Sequence, residues 1–131
     1  MNAAMRAIDK RELGQIIADD PGREVILDYA TFADPLFVGE IGTDPIVIVA
    51  FIPLSALSDI AYAWVHVLPK GQHYKHAIAR LFLRWRPIVH TRYKKLIAHC
   101  STKPEHLAWI RFSGARLLEK HNGVIKFVME G

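Results

Sequence analysis

The chain has 131 residues, 51% of them apolar and 23% charged, with a formal net charge of +4. Residues 1–131 read as one domain, long enough to bury roughly 65–70% of the surface its unfolded chain exposes, with an ordinary soluble, globular composition. No membrane span is expected, because the longest uncharged run, Pro45 to Ser58, is too short and holds Pro53. MNAAMRAIDKREL at the start has no apolar core of signal-peptide length, so secretion by a signal peptide is not expected. The single cysteine, Cys100, permits no internal disulfide, and a reducing compartment is the simplest reading. Cys100 ends a strand pattern and reads as a buried thiol, since no other motif converges on it.

Residues 5–8 suit a short opening strand. Asp9 suits a helix N-cap, with Glu12 three residues on as its capping-box partner. The helix carries Leu13, Ile16 and Ile17 until Asp19-Asp20-Pro21-Gly22 stops it. A second short helix fits Arg23 to Ala33, with Val25, Ile26 and Tyr29 on one side. Strands follow at Leu36–Ile41 and Pro45–Phe51 around the turn Gly42-Thr43-Asp44. The second is a β-branched run, as expected of a strand buried on both faces. Ser55 to Ser58 is a loop, and Ala61–Leu68 another buried strand. A longer helix fits Tyr74 to about Arg86, with Ile78, Leu81, Phe82 and Trp85 on its apolar face and Pro87 to end or kink it.

Tyr93–Cys100 reads as a strand. Pro104 suits the first turn of a short helix carrying Leu107, Trp109 and Ile110, and Gly114 closes it. Arg116–Glu119 and Val124–Met129 then pair around His121-Asn122-Gly123. Trp64, Trp85 and Trp109 each fall in an apolar face and read as core. Periodicity and turn chemistry support an α/β or α+β domain with a central sheet.

Charge is unevenly placed. Residues 1–59 carry ten acids and four bases, whereas residues 60–104 carry nine bases and no acid. Such a block attracts phosphate, nucleic acid or an acidic partner, or serves as a solvated face that complements the acidic first half.

The order of elements resembles the GNAT (acetyltransferase-type) fold over almost the whole chain. That resemblance implies a mixed, mostly antiparallel central sheet flanked by about four helices. His106-Leu107-Ala108-Trp109-Ile110-Arg111 to Gly114-Ala115, behind His90, Arg92 and Tyr93, resembles more closely the GNAT-like minor or internal virion proteins of short-tailed phages. This closer resemblance implies a virion, assembly or DNA-ejection component in the particle or the host cytoplasm. It would contact other phage structural or ejection proteins, with Arg80, Arg84 and His106 as contact residues and without a cofactor or acetyl transfer.

The alternative implied by the wider fold is an acetyl-CoA-dependent N-acetyltransferase. Such enzymes hold the coenzyme pyrophosphate on a Q/R-x-x-G-x-G/A loop where a strand feeds a helix. Here the matching stretch runs from Pro69 to His76 and has one glycine, Gly71. Lys70, Gly71, Lys75 and His76 are its candidate coenzyme contacts. Four residues before Gly114, where many members place a proton-donating tyrosine, stands Ile110. The strand before the loop offers no carboxylate, and His66 is its only titratable group apart from Tyr62. His66 is the candidate base, since histidine ordinarily titrates near neutrality; a lone histidine in an apolar strand is more often a hydrogen-bonded core residue. His73 and His76 are three apart, with no His-x-x-x-His or Cys-x-x-Cys spacing, so no metal site is expected. A serine nucleophile at Ser113 lacks the flanks of a nucleophile elbow. Nucleic-acid binding by the basic block is a third reading, with affinity falling steeply in salt.

Overall fold

A computed structural model describes residues 3–101, 115–121 and 124–130, with the side chains of residues 100, 101 and 117–121 excepted. Four strands open the sheet: β1 (Ala3–Ala7), β2 (Leu36–Ile41), β3 (Asp44–Pro53) and β4 (Ile60–Val67). Three more complete it: β5 (Lys95–Ser101), β6 (Arg116–His121) and β7 (Val124–Glu130). Their spatial order is β1-β2-β3-β4-β5-β7-β6. Every neighbouring pair is antiparallel except β4 and β5, so the sheet is mixed and mostly antiparallel, as expected. Helices α1 (Lys10–Ile16), α2 (Arg23–Ala30) and α3 (Lys75–Val89) accompany it, with a 3-10 turn at Pro69–His73. The expected helix from Pro104 to Gly114, with Trp109 and Ile110, lies outside the described residues, as do Asn122 and Gly123. Three α-helices are thus described where about four are expected.

Alternation along the strands sends two apolar sets to opposite faces. On one face Phe37, Val47, Val49, Phe51, Ala61 and Ala63 pack with Ile78, Leu81, Phe82 and Val89 of α3. On the other, Val38, Ile48 and Ala50 pack with Leu13 and Ile17, from α1 and its end, and with Ile26 and Ala30 of α2. At about 25 cal/mol per Å² of apolar surface, the fully buried Phe51, Ile46, Ile48 and Val47 of β3 make this strand the spine of both layers. Gly39 of β2 admits α3 to the sheet. A Cβ there would stand 2.6 Å from Val47 Cγ1 and 3.1 Å from Leu81 Cδ1.

Several local readings change. Asp9 caps α1 by accepting the Glu12 N–H at 2.7 Å. Glu12 does not close a capping box; its carboxylate pairs with Arg6 of β1, which also binds Glu40. α2 ends at Ala30, and it buries Ile26 and Ala30 while Val25 and Tyr29 are exposed. α3 runs through Pro87 to Val89. Its buried residues lie on both sides of the proline, whose ring is exposed, so water can reach the carbonyl that the missing N–H leaves unpaired. Across the proline, Arg86 Nε donates to His90 Nε2 at 3.0 Å, and Arg86 also donates to the Glu130 carbonyl at 2.9 Å. The Tyr93 carbonyl can only accept, so His90 Nδ1 is the nitrogen that carries the proton in their 2.7 Å bond.

The basic block is drawn partly into the acidic half. Lys70 pairs with Asp44, Arg92 with Asp34, and Lys94 lies 4.0 Å from Asp59. Arg80 and Arg84 are exposed on α3 and form no ion pair among the described residues. Tyr93 is fully buried, with its hydroxyl donating to the Asp34 carbonyl at 2.5 Å. Burial raises its pKa.

Candidate active site in the splay of the sheet

β4 and β5 pair only at Ile60↔Lys95, Ala61↔Leu96 and Tyr62↔Ile97. Both strands continue, β4 to Val67 and β5 to Ser101, but no longer pair with each other. The gap is a cleft of about 1280 Å³. It is lined from both faces of the sheet, because β4 alternates across it. Ala63, Val65 and Val67 line it with Ile78 and Phe82 of α3, and Tyr62, Trp64 and His66 line it with Tyr29 of α2. The backbone edges released by the splay are free to pair with an extended ligand.

His66 stands in this wall rather than in a sealed core. Its side chain is 28% exposed, and its Nε2 lies 2.9 Å from Asp20 Oδ2. Asp20 comes from the link between α1 and α2, and its other oxygen accepts the Gly22 N–H at 2.7 Å. These two bonds, Gly22 first and His66 second, hold its carboxyl below the usual carboxylate range. An ionised carboxylate can only accept, so Nε2 carries the hydrogen and Nδ1 is the nitrogen left to take a proton. On one side of His66 the Trp64 ring lies parallel to it within 3° at 5.8 Å. Tyr29 in turn stacks on Trp64 at 5.4 Å, and Tyr62 stacks on His99 of β5 at 6.0 Å. Trp64 is therefore half-buried: it packs against the core layer beneath α1 and α2 and also forms part of the cleft wall.

The candidate coenzyme residues separate. Lys75 lines the cleft beside Gln72 and has no ion-pair partner among the described residues. Lys70 turns away from the cleft, 2.8 Å from Asp44, into a smaller hollow with His73 and Tyr74. His76 is exposed and does not line the cleft. Gly71 is buried, and a Cβ on it would meet the Ile46 carbonyl oxygen at 2.0 Å. Its smallness serves contact with β3, so a phosphate cannot approach from that side. The Gly71 N–H is bound to the Leu68 carbonyl at 2.8 Å and the Tyr74 N–H to the Gly71 carbonyl at 2.9 Å. The N–H groups of Lys75, His76 and Ala77 precede the first bond of α3, Ile78 to Tyr74. No side chain caps this end and no acid lies in its first turn, so its partial positive charge is open to an anion.

His106 lies outside the described residues, and Cys100 does so by its side chain. No three His, Cys, Asp or Glu side chains among the described residues gather as metal ligands, and no described helix is long and apolar enough to cross a membrane. Sequence reading does not single out Asp20, Asp28, Tyr29 or Phe32 for the cleft. Asp20 and His66 are far apart in sequence, with no pattern to join them. The spacing 25, 28, 29, 32 is a helical face, and only the fold tells that it borders a cleft instead of the core.

No protein-family model and no curated protein matches the sequence. Among solved structures, a spermidine N-acetyltransferase chimera from Vibrio cholerae and hSSAT superposes with a TM-score of 0.75 at 17% identity, covering 99% of this chain and 96% of that one. An acetyltransferase from Bacillus subtilis in complex with CoA gives 0.70 at 10% identity, covering 98% and 97%. The GNAT domain of a protein named PAT from S. lividans gives 0.74 at 14% identity, covering 98% and 90%. At such identities the likeness speaks for architecture alone, and the architecture is that of the GNAT acetyltransferases.

Proposed function

We propose that this chain is an acyl-CoA-dependent N-acyltransferase that uses acetyl-CoA, with His66 as the base. The observation that carries the reading is the His66–Asp20 pair, set in the wall of a cleft where the sheet opens. The residues present suit the coenzyme at its extended arm, which the released β4 and β5 edges and the apolar side chains of the cleft would hold. Its phosphates would lie at the start of α3, with the Lys75 ammonium and the first N–H groups as donors. Bound there, the coenzyme supplies an activated acyl thioester.

Asp20 fixes the ring of His66 and keeps the proton on Nε2. His66 Nδ1 takes the proton from the attacking amine nitrogen and passes it to solvent. Trp64, on which Tyr29 stacks, covers one side of the imidazole and limits water there. Solvent would supply the proton to the departing sulfur.

A second reading is favoured by the 3-10 turn, whose Gly71 is spent on packing. A chain with so few phosphate donors suits a GNAT-like scaffold in a phage particle or host cytoplasm, bound to other phage proteins through Arg80, Arg84 and His106. Calorimetric titration with acetyl-CoA at moderate salt, with a free-phosphate control, separates the two. Micromolar binding, about −8 kcal/mol, is expected, and His66→Ala should retain it while losing about 10²- to 10⁴-fold in turnover. Turnover unchanged in His66→Ala overturns His66 as the base, whereas absence of binding overturns the enzyme reading. Recovery of the protein in purified phage particles would then support the scaffold.

A further inference from the structure

The acceptor side of the cleft carries more information than the base alone. On α2 and its C-terminal turn, Val25, Asp28, Tyr29 and Phe32 fall at i, i+3, i+4 and i+7 and so share one face. All four line the cleft. They are exposed, Phe32 to 71%, while their neighbours Ile26 and Ala30 do the packing. Opposite them stand the Trp64 and His66 rings of β4 and the Tyr62–His99 stack. Flat apolar surface of this kind is unusual for an exposed helix face, and its rings attract both an aromatic body and a cation.

The charges narrow the ligand further. Asp28 is the only carboxylate among the described residues that line the cleft. Its side chain has no hydrogen bond or ion pair among the described residues, whereas Asp20 is engaged by Gly22 and His66. One free carboxylate balances one positive charge, and Lys75 across the cleft repels any more. A linear polyamine brings several charges and no ring.

We infer that the acceptor is an arylalkylamine, a primary amine on a short arm from an aromatic ring. This rests on the acyltransfer reading above. Asp28 draws the ammonium in, the ring lies against Trp64, Tyr29 and Phe32, and the nitrogen reaches His66. The step is balanced: the ammonium first gives one proton through His66 to solvent, which frees the nitrogen lone pair. The nitrogen then forms a bond to the acyl carbon as the carbon–sulfur bond breaks, and the second proton it loses is matched by the one the departing sulfur takes from solvent to become the free thiol.

The test uses the full chain, acetyl-CoA and three amines: 2-phenylethylamine, n-butylamine and spermidine. 2-Phenylethylamine should give a kcat/KM about tenfold above the other two. Asp28→Asn should raise its KM about tenfold with kcat little changed, and Phe32→Ala, at an exposed site that spares folding, should erase most of the preference for the ring. Equal or faster turnover of spermidine or n-butylamine overturns the acceptor class and leaves acyl transfer standing. If no amine is acetylated, calorimetry with 2-phenylethylamine alone decides. Binding weakened by Phe32→Ala keeps the ligand class while the transfer reading fails, and no binding overturns both.

Discussion

At the α2 side of the cleft, side chains that ordinarily seek a core stand open: Val25, Tyr29 and Phe32 are all exposed. At the α3 side the reverse holds. Groups that ordinarily serve phosphate are engaged elsewhere, Gly71 against the Ile46 carbonyl and Lys70 against Asp44. The acceptor end is thus more fully built than the coenzyme end. A fold can keep its splayed sheet while the loop beside it is remade for packing, because the splay depends on where β4 and β5 stop pairing and not on the turn that follows β4.

The largest test of this contrast is Gly71→Ala. The added methyl cannot coexist with a backbone oxygen 2.0 Å away, so the turn or β3 must shift. A loss of about 3 kcal/mol in folding stability is expected, measured by urea denaturation. If Gly71→Ala kept wild-type stability and lost only acetyl-CoA affinity, the glycine would belong to a phosphate loop after all, and the contrast would collapse.

Asp20→Asn probes the other end. Asp20 is a positioning residue, so kcat should fall on the order of 10²-fold while the amine KM and acetyl-CoA affinity hold. Stability gives a second readout that transfer chemistry does not move. The folded pKa of Asp20 is depressed, so its contribution is complete above the ordinary carboxylate value of about 3.9. That contribution is lost as pH falls through the lower folded value. Between pH 5 and 3 the urea midpoint of the wild type should therefore fall more steeply than that of Asp20→Asn. Parallel curves would mean that the carboxylate gains nothing from Gly22 and His66.

Most of the fold is legible in the sequence, because periodicity reports burial and burial sets the elements. β2, β3, β4 and α3 stand within about three residues of where apolar spacing puts them, and the Asp9 cap is where its chemistry requires. Less of the site is legible. His66 is visible as a lone titratable group in an apolar strand, but its partner Asp20 reads only as a helix stop, since the fold brings the two together from distant positions. Val25 and Tyr29 carry a true apolar periodicity whose target is a cleft. Pro87 does not end α3, one of the two outcomes its chemistry allows, because packing of Val89 holds the next turn.

The smallest effect concerns two lysines that look alike in sequence. Lys70 lies in the turn after β4 and Lys75 just beyond it, but only Lys75 lines the cleft, while Lys70 pairs with Asp44. Lys75→Gln should weaken acetyl-CoA binding about fivefold at low salt, an effect that shrinks as ionic strength rises because the ammonium is exposed. Lys70→Gln should leave affinity unchanged, since an exposed pair of this kind contributes little even to stability. Calorimetry on both variants at two salt concentrations reads the difference. Equal losses would put the phosphates over the 3-10 turn itself and not at the start of α3. The orientation of the coenzyme in the cleft would then have to be redrawn, although the α2 wall and the His66–Asp20 pair would stay as they are.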